Sequence, residues 1–178
     1  MSMPMITFMV STSTPQFRAL ILGSVFFIPY LALADFTGEV VRVIDGDRID
    51  VLHDGRPERI RLAGIDAPEK GQPFGKEAKQ VTSALAFHKA VTVNVRGRDF
   101  YGRIIGLVVL PDGTILNHEL VRQGLAWQNR QSSKDGMLAM METAARQSKR
   151  GLWADPQPIP PWAWRRTRPS PPEPAQRQ

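Results

Sequence analysis

The chain has 178 residues, enough for one packed domain with extensions. Its formal net charge is +6 and its pI about 10.2, which favours an anionic partner without specifying a fold. It has no cysteine, which excludes disulfides and thiolate metal sites, and its three histidines (His53, His88, His118) form no His-x-x-x-His pair.

Residues 1 to 34 read as a leader. They hold no acid and a single base, Arg18, followed by the apolar run ALILGSVFFIPYLALA. That run is short for a membrane span, which needs about 20 residues. Its small residues at Ala32 and Ala34 fit a signal-peptidase site after Ala34. The mature chain is therefore expected to be Asp35–Gln178, exported to the periplasm or out of the cell.

Short strands come next. Phe36–Ile44 carries Val41 and Val43 in alternation, and Arg48–His53 carries Ile49 and Val51. Asp54-Gly55 reads as a tight hairpin turn into a third strand, Glu58–Ile65, with Ile60 and Leu62 on one face. Pro73 then suits a first helical position, and Phe74, Ala78, Val81 and Leu85 share one helix face. A fourth strand follows at Val91–Arg96 and a fifth at Arg103–Leu110. A short helix near Asn117–Gln123 should stop at Gly124. A last helix near Asp135–Arg150, capped by Asp135, groups Leu138, Met141, Ala145 and Ser148.

Five strands with a helix after the third, and about three helices in all, predict an α+β fold. The count and order match a five-stranded, partly open Greek-key barrel of the OB type over residues 35–155. From Pro156 onward, prolines and arginines predict an extended or largely disordered tail, residues 156–178, with Trp162 and Trp164 as the residues able to pack back on the domain.

The chemistry gathers around RLAGIDAPE, residues 61 to 69, and VIDGD, residues 43 to 47. Asp47 opens the second strand, and Asp66 and Glu69 follow the third. All three fall at the open end of one hairpin. Three carboxylates meeting there need a cation between them, and all-oxygen ligation suits Ca²⁺ or Mg²⁺. Taken singly, each aspartate also reads as a turn residue, and Arg61 as a surface strand residue. DFYGR, residues 99 to 103, brings a second arginine, Arg103. Two arginines, a cation and a glutamate are what phosphodiester hydrolysis requires, because the planar guanidinium binds two phosphate oxygens at once.

VIDGD, RIRLAGIDAPE, GKEA, DFYGR, LVRQGLA and KRGLW stand in this order over Phe36 to Trp153. Together they resemble the thermonuclease family, the staphylococcal-nuclease-like domain. The resemblance implies an OB barrel that cleaves DNA and RNA with Ca²⁺, leaving 3′-phosphate ends. It implies that Asp47, Asp66 and the backbone carbonyl of Ala67 bind the ion. Glu69 is then the general base or water-positioning group, and Arg61 and Arg103 clamp the scissile phosphate. Tyr101 matches a tyrosine beside the nucleotide's phosphate. Two departures stand out. Arg48 replaces a usual threonine, and WQNRQSS lacks the family's tyrosines, leaving Trp127 as its single aromatic and the candidate to touch substrate. The expected activity is an exported, monomeric, Ca²⁺-dependent nuclease of low sequence specificity. The competing reading is a barrel that binds nucleic acid and cuts it weakly or not at all.

Overall fold

The computed structural model describes residues 34–167. The expected leader, apart from Ala34, and the last eleven residues of the expected tail lie outside that range. Strands β1 (Phe36–Asp45), β2 (Arg48–His53) and β3 (Arg56–Leu62) are followed by a two-residue strand, β4 (Ile65–Asp66). Then come α1 (Gly75–Ala86), β5 (Ala90–Arg98), β6 (Ile104–Val109), α2 (Leu116–Arg122), β7 (Trp127–Gln128) and α3 (Gly136–Gln147). A 3₁₀ turn at Gly151–Ala154 and a fourth helix, α4 (Pro161–Thr167), complete the described chain.

Five strands close a barrel in the order β1-β2-β3-β6-β5, as the α+β OB-type reading expects. Neighbours run antiparallel except β3 and β6, which pair in parallel, Ile60 with Ile104 and Arg61 with Ile105. The period-2 pattern fixes which side chains fill it. Val40, Ile49, Val51, Ile60, Leu62, Val91, Val93, Ile104 and Val108 are buried inside. Each such aliphatic side chain contributes roughly 1.5–3 kcal/mol by leaving water. At the β2–β3 hairpin, Asp54 and Gly55 both take positive φ (48° and 73°), as a two-residue turn between right-twisted strands demands.

α1 begins later than proline chemistry suggests. Phe74 adopts a left-handed conformation as N-cap, and Gly75 is the first helical residue. Pro73 instead belongs to a turn closed by Gln72 N–H to the Glu69 carbonyl (2.9 Å) and Gly75 N–H to the Gln72 carbonyl (3.0 Å). The fully buried face is Gly75, Ala78, Thr82 and Ala86, with Phe74, Val81 and Leu85 packed beside it. Thr82 belongs there because its hydroxyl donates to the Gly46 carbonyl at 2.8 Å. In α3, Asp135 caps as expected, accepting from the Met137 and Leu138 amides. Ser148, expected on the buried face, is the exposed C-cap, and Glu142 is buried instead.

The structure also corrects the reading of the tail between residues 156 and 167. Among the described residues, helix α4 makes four α-helices rather than about three. Pro161 opens it, and the Ala163 and Trp164 amides donate to the Pro160 carbonyl. Gln72 Nε2 holds the incoming segment through the Ile159 carbonyl at 2.6 Å. Trp162 meets Trp127 edge to face, with centroids 6.4 Å apart. Proline frequency argued for disorder, but a proline at the first helical turn loses no hydrogen bond, and the tryptophan supplies a docking face. Among the described residues no helix is long and apolar enough to cross a membrane.

Candidate active site

Three connections at one end of the barrel carry the expected acids. The β1–β2 turn is held close by Gly46, where an added Cβ would lie 2.7 Å from Ala67 Cβ and 2.8 Å from Ala78 Cβ. This packing sets Asp47 against the chain leaving β4. The Ala67 amide lies 3.5 Å from Asp47 Oδ2, and the Asp47 carbonyl accepts from the Leu62 amide at 2.9 Å. Buried Asn117 of α2 ties the β3–β4 turn to β6. Its amide nitrogen donates to the Ala63 carbonyl at 2.9 Å, and its oxygen accepts from the Val108 amide at 3.0 Å. The turn after Asp66 returns Glu69 to the same end, with Gln72 Oε1 accepting from the Glu69 amide at 2.9 Å.

Asp47, Asp66 and Glu69 thus come to one end of the barrel, and the cations between them are guanidiniums. Arg61 Nη2 sits 2.9 Å from Asp66 Oδ1 and 3.7 Å from Asp47 Oδ2. Arg165, from α4, reaches Asp66 Oδ2 at 2.9 Å and Glu69 Oε1 at 2.6 Å. Arg48 bonds Asp45 through Nε at 2.5 Å, and its Nη2 lies 3.6 Å from Glu69 Oε2. It therefore stands over the acids rather than pointing away. Among the described residues no three acidic or histidine side chains form a metal cage on their own. Asp47 and Asp66 each face an arginine instead.

Crowding of like charge is relieved at Asp47, which keeps its proton well above the usual carboxylate range. Burial first, then the neighbouring charges of Asp45 and Asp66 and a hydrogen bond with Asp45, push the Asp47 carboxyl up to about 8 against the pull of Arg61. Asp45 is itself buried, and its Oδ1 has no hydrogen-bond partner. Burial opposes the charge of Arg165, but its hydrogen bonds to Asp66 and Glu69 outweigh it and raise the pKa of its guanidinium.

Arg103 is not in contact with these acids. Its Nε donates to Asp99 Oδ2 at 2.6 Å, and its guanidinium lies 5.4 Å from the centre of the Tyr101 ring. Burial opposes the charge of Asp99, yet the hydrogen bonds from Arg103 hold its carboxyl below the usual range. Arg103 immediately precedes β6, the parallel neighbour of β3, two residues before Ile105, the partner of Arg61. Tyr101 is 81% exposed and free to meet a ligand.

Trp127 is placed differently from the expectation. It is 4% exposed, packs against Trp153 at 5.3 Å and pairs with Asp66 across β4–β7. Its work is to brace the strand that carries Asp66, and its face is not open for stacking. The short β-pair buries it because GLA hands the chain directly from α2 into the second core cluster with Trp153 and Leu152. Sequence reasoning missed Arg165, Asn117 and Asp45. Asn117 carries no local signal. The WRR of the tail, close to the chain's end, was the one visible hint of a basic group with an aromatic anchor.

A family model described as staphylococcal nuclease homologue matches residues 59–155. An uncharacterized endonuclease of Escherichia coli is 48% identical over 132 residues, which cover 74% of this chain and 86% of that protein. A micrococcal nuclease of Shigella flexneri is 42% identical over 159 residues, covering 84% and 91%. An uncharacterized endonuclease of Haemophilus influenzae is 40% identical over 131 residues, covering 73% of each. With its closed barrel, its acids at one barrel end and these relatives, the chain belongs to the staphylococcal nuclease family.

Proposed function

We propose that this protein is a Ca²⁺-dependent nuclease that hydrolyses DNA and/or RNA with little sequence specificity, and that it acts after export. The observation that carries the reading is the gathering of Asp47, Asp66 and Glu69 around Arg61 and Arg165 at one barrel end. The donor set fits a hard dication. It offers two buried aspartates, a neighbouring aspartate oxygen with no partner, and a carboxyl pushed up to about 8 by burial and then by the neighbouring acids. Asp47, Asp66 and the Ala67 carbonyl are the groups that would hold it. When bound, the ion polarises the phosphodiester and offsets charge on its oxygens.

The chain's own residues do the rest. Arg61 of β3 and Arg103, at the entry to the neighbouring β6, bind the non-bridging oxygens of the scissile phosphate. Glu69 accepts a proton from the attacking water as its oxygen bonds to phosphorus. The bond from phosphorus to the 5′ oxygen breaks, that oxygen takes a proton from solvent, and a 3′-phosphate remains. Arg165 occupies Glu69 Oε1 at 2.6 Å, so that oxygen can take the proton only once the arginine lets go. Tyr101 borders the substrate beside Arg103.

The test incubates purified protein with plasmid, denatured DNA and RNA over a Ca²⁺ series and with chelator. Glu69→Gln and Arg61→Ala should each lose about a thousandfold in rate while keeping the circular dichroism of the parent. Near-normal cleavage by either folded variant would sink the assignment. Salt-sensitive binding with no cleavage at any Ca²⁺ level would make the binding module the better reading. Export predicts that protein recovered from outside the cytoplasm begins at Asp35.

A further inference from the structure

Beside Asp66 the chain encloses a groove of about 560 Å³, within the range of small-ligand sites. Three segments wall it. The loop after β7 brings Arg130 and Gln131, α3 brings Arg146, and the tail helix brings Trp162 and Arg166. Arg130 and Arg146 share a single carboxylate, Glu142, at 3.4 and 2.6 Å, so one of their two charges is not offset. Arg166 is exposed and has no acid partner among the described residues. The wall is therefore net positive where it leaves the acids. Trp162 is 38% exposed, and its contact with Trp127 is edge to face, so part of the indole remains open.

Guanidiniums beside an open aromatic are the chemistry that holds unpaired nucleotides: the ring stacks a base and the arginines follow the backbone. The groove also answers a gap in the sequence. The loop after Trp127 reads QNRQSS and supplies no aromatic, yet Trp162 lines the same groove as Asn129 and Gln131 from the other end of the domain. We propose that this groove is a subsite for one unpaired nucleotide next to the scissile phosphate. Trp162 stacks its base, and Arg130 and Arg166 take its phosphate. The site prefers single-stranded nucleic acid, because stacking on Trp162 needs a base face that a duplex keeps covered by its neighbours. The inference rests on the nuclease reading for its direction, but its test does not depend on cleavage.

Labelled oligonucleotides of about twelve residues (single-stranded DNA, single-stranded RNA and the DNA duplex) are titrated by anisotropy in chelator. The protein is that recovered from expression of the full chain. Trp162→Ala should weaken single-strand binding about 5- to 100-fold, the worth of one stacked base, and leave duplex binding within about twofold. Trp162→Phe should restore most of the loss. Arg166→Ala should reduce the salt slope of single-strand binding by about one unit. Comparison of the DNA and RNA arms shows which sugar the subsite accepts. Equal single-strand affinity in parent and Trp162→Ala, or equal losses for single strand and duplex, would overturn the proposal. If Trp162→Ala melts, Trp162→Phe and the Arg166 slope decide, and an unchanged slope refutes it. A parent that cleaves while these variants bind normally removes only the subsite. Trp162-dependent binding without cleavage removes only the nuclease assignment.

Discussion

Arg165 offers the sharpest perturbation of the site. Its guanidinium bonds Asp66 at 2.9 Å and Glu69 at 2.6 Å, while half its side chain remains in solvent (47% exposed). Ion pairs this exposed contribute at most about 1 kcal/mol each, because water screens them and ordering a long side chain costs entropy. The Asp66 partner is nearly fully buried (3% exposed), which moves the contact to the upper end of that range. A net coupling of about 1–2 kcal/mol between Arg165 and the two acids is the sum. A divalent ion on Asp66 must displace that contact, so Arg165→Ala should tighten Ca²⁺ binding about 5- to 30-fold. α4 keeps its other anchors, the Gln72–Ile159 bond and buried Pro161, so the variant should stay folded. Isothermal titration of Ca²⁺ into chelator-stripped parent, Arg165→Ala and Arg165→Lys measures this directly, with the melting temperature as control. Lysine should fall between the two, being a cation without the fork. Unchanged or weaker Ca²⁺ binding in a folded Arg165→Ala protein would refute the competition.

Gly75→Ala should do more damage than a helix-favouring change suggests. Its Cβ would sit 2.2 Å from the Glu69 carbonyl oxygen, so backbone must move. A loss of about 1–3 kcal/mol by urea midpoint, together with more than tenfold lower cleavage, is expected, and parental values for both would count against this packing account. The raised Asp47 carboxyl makes a pH prediction. Its folded pKa, about 8, exceeds the ordinary 3.8, so between those values the folded state binds more protons than the unfolded state. Stability in chelator should therefore fall as pH rises through that window, and Asp47→Asn should remove this slope. Urea melts at about pH 5 and about pH 9 compare the two proteins, and a parallel fall in Asp47→Asn would reject the assignment.

Alternation and turn chemistry carried most of the barrel. Arg48–His53 appears at its expected bounds, because period-2 burial and an Asp-Gly turn are local signals. The parallel pairing of β3 with β6 carries no local signal, since it joins segments about forty residues apart. The site divides in the same way. Asp47, Asp66, Glu69 and Arg61 stand within two motifs on adjacent strands, so their convergence follows from one hairpin. Arg165 lies 96 residues from Glu69, and only docking of Trp162 and Pro161 brings it there. Trp127 was misplaced because an aromatic near a site reads alike whether it braces the strand from behind or faces solvent. The distinction depends on Trp153, which packs on it from a later turn.

The long reach of Arg165 also sets an order of events. A chain made from its N-terminus supplies its carboxylates 96 residues before the guanidinium that joins them, and its last barrel strand, β6, also precedes that guanidinium. For that interval the acids share Arg61 and Arg48 alone, and the nascent domain carries its most crowded negative charge. The family match ends at residue 155, so a protein that keeps β1 and β2 but stops there would remain in that early state. Cutting before Pro156 would thus not simply remove a tail. It would isolate the version of the site that exists before synthesis is finished, with its acids open to any cation in the surrounding solution.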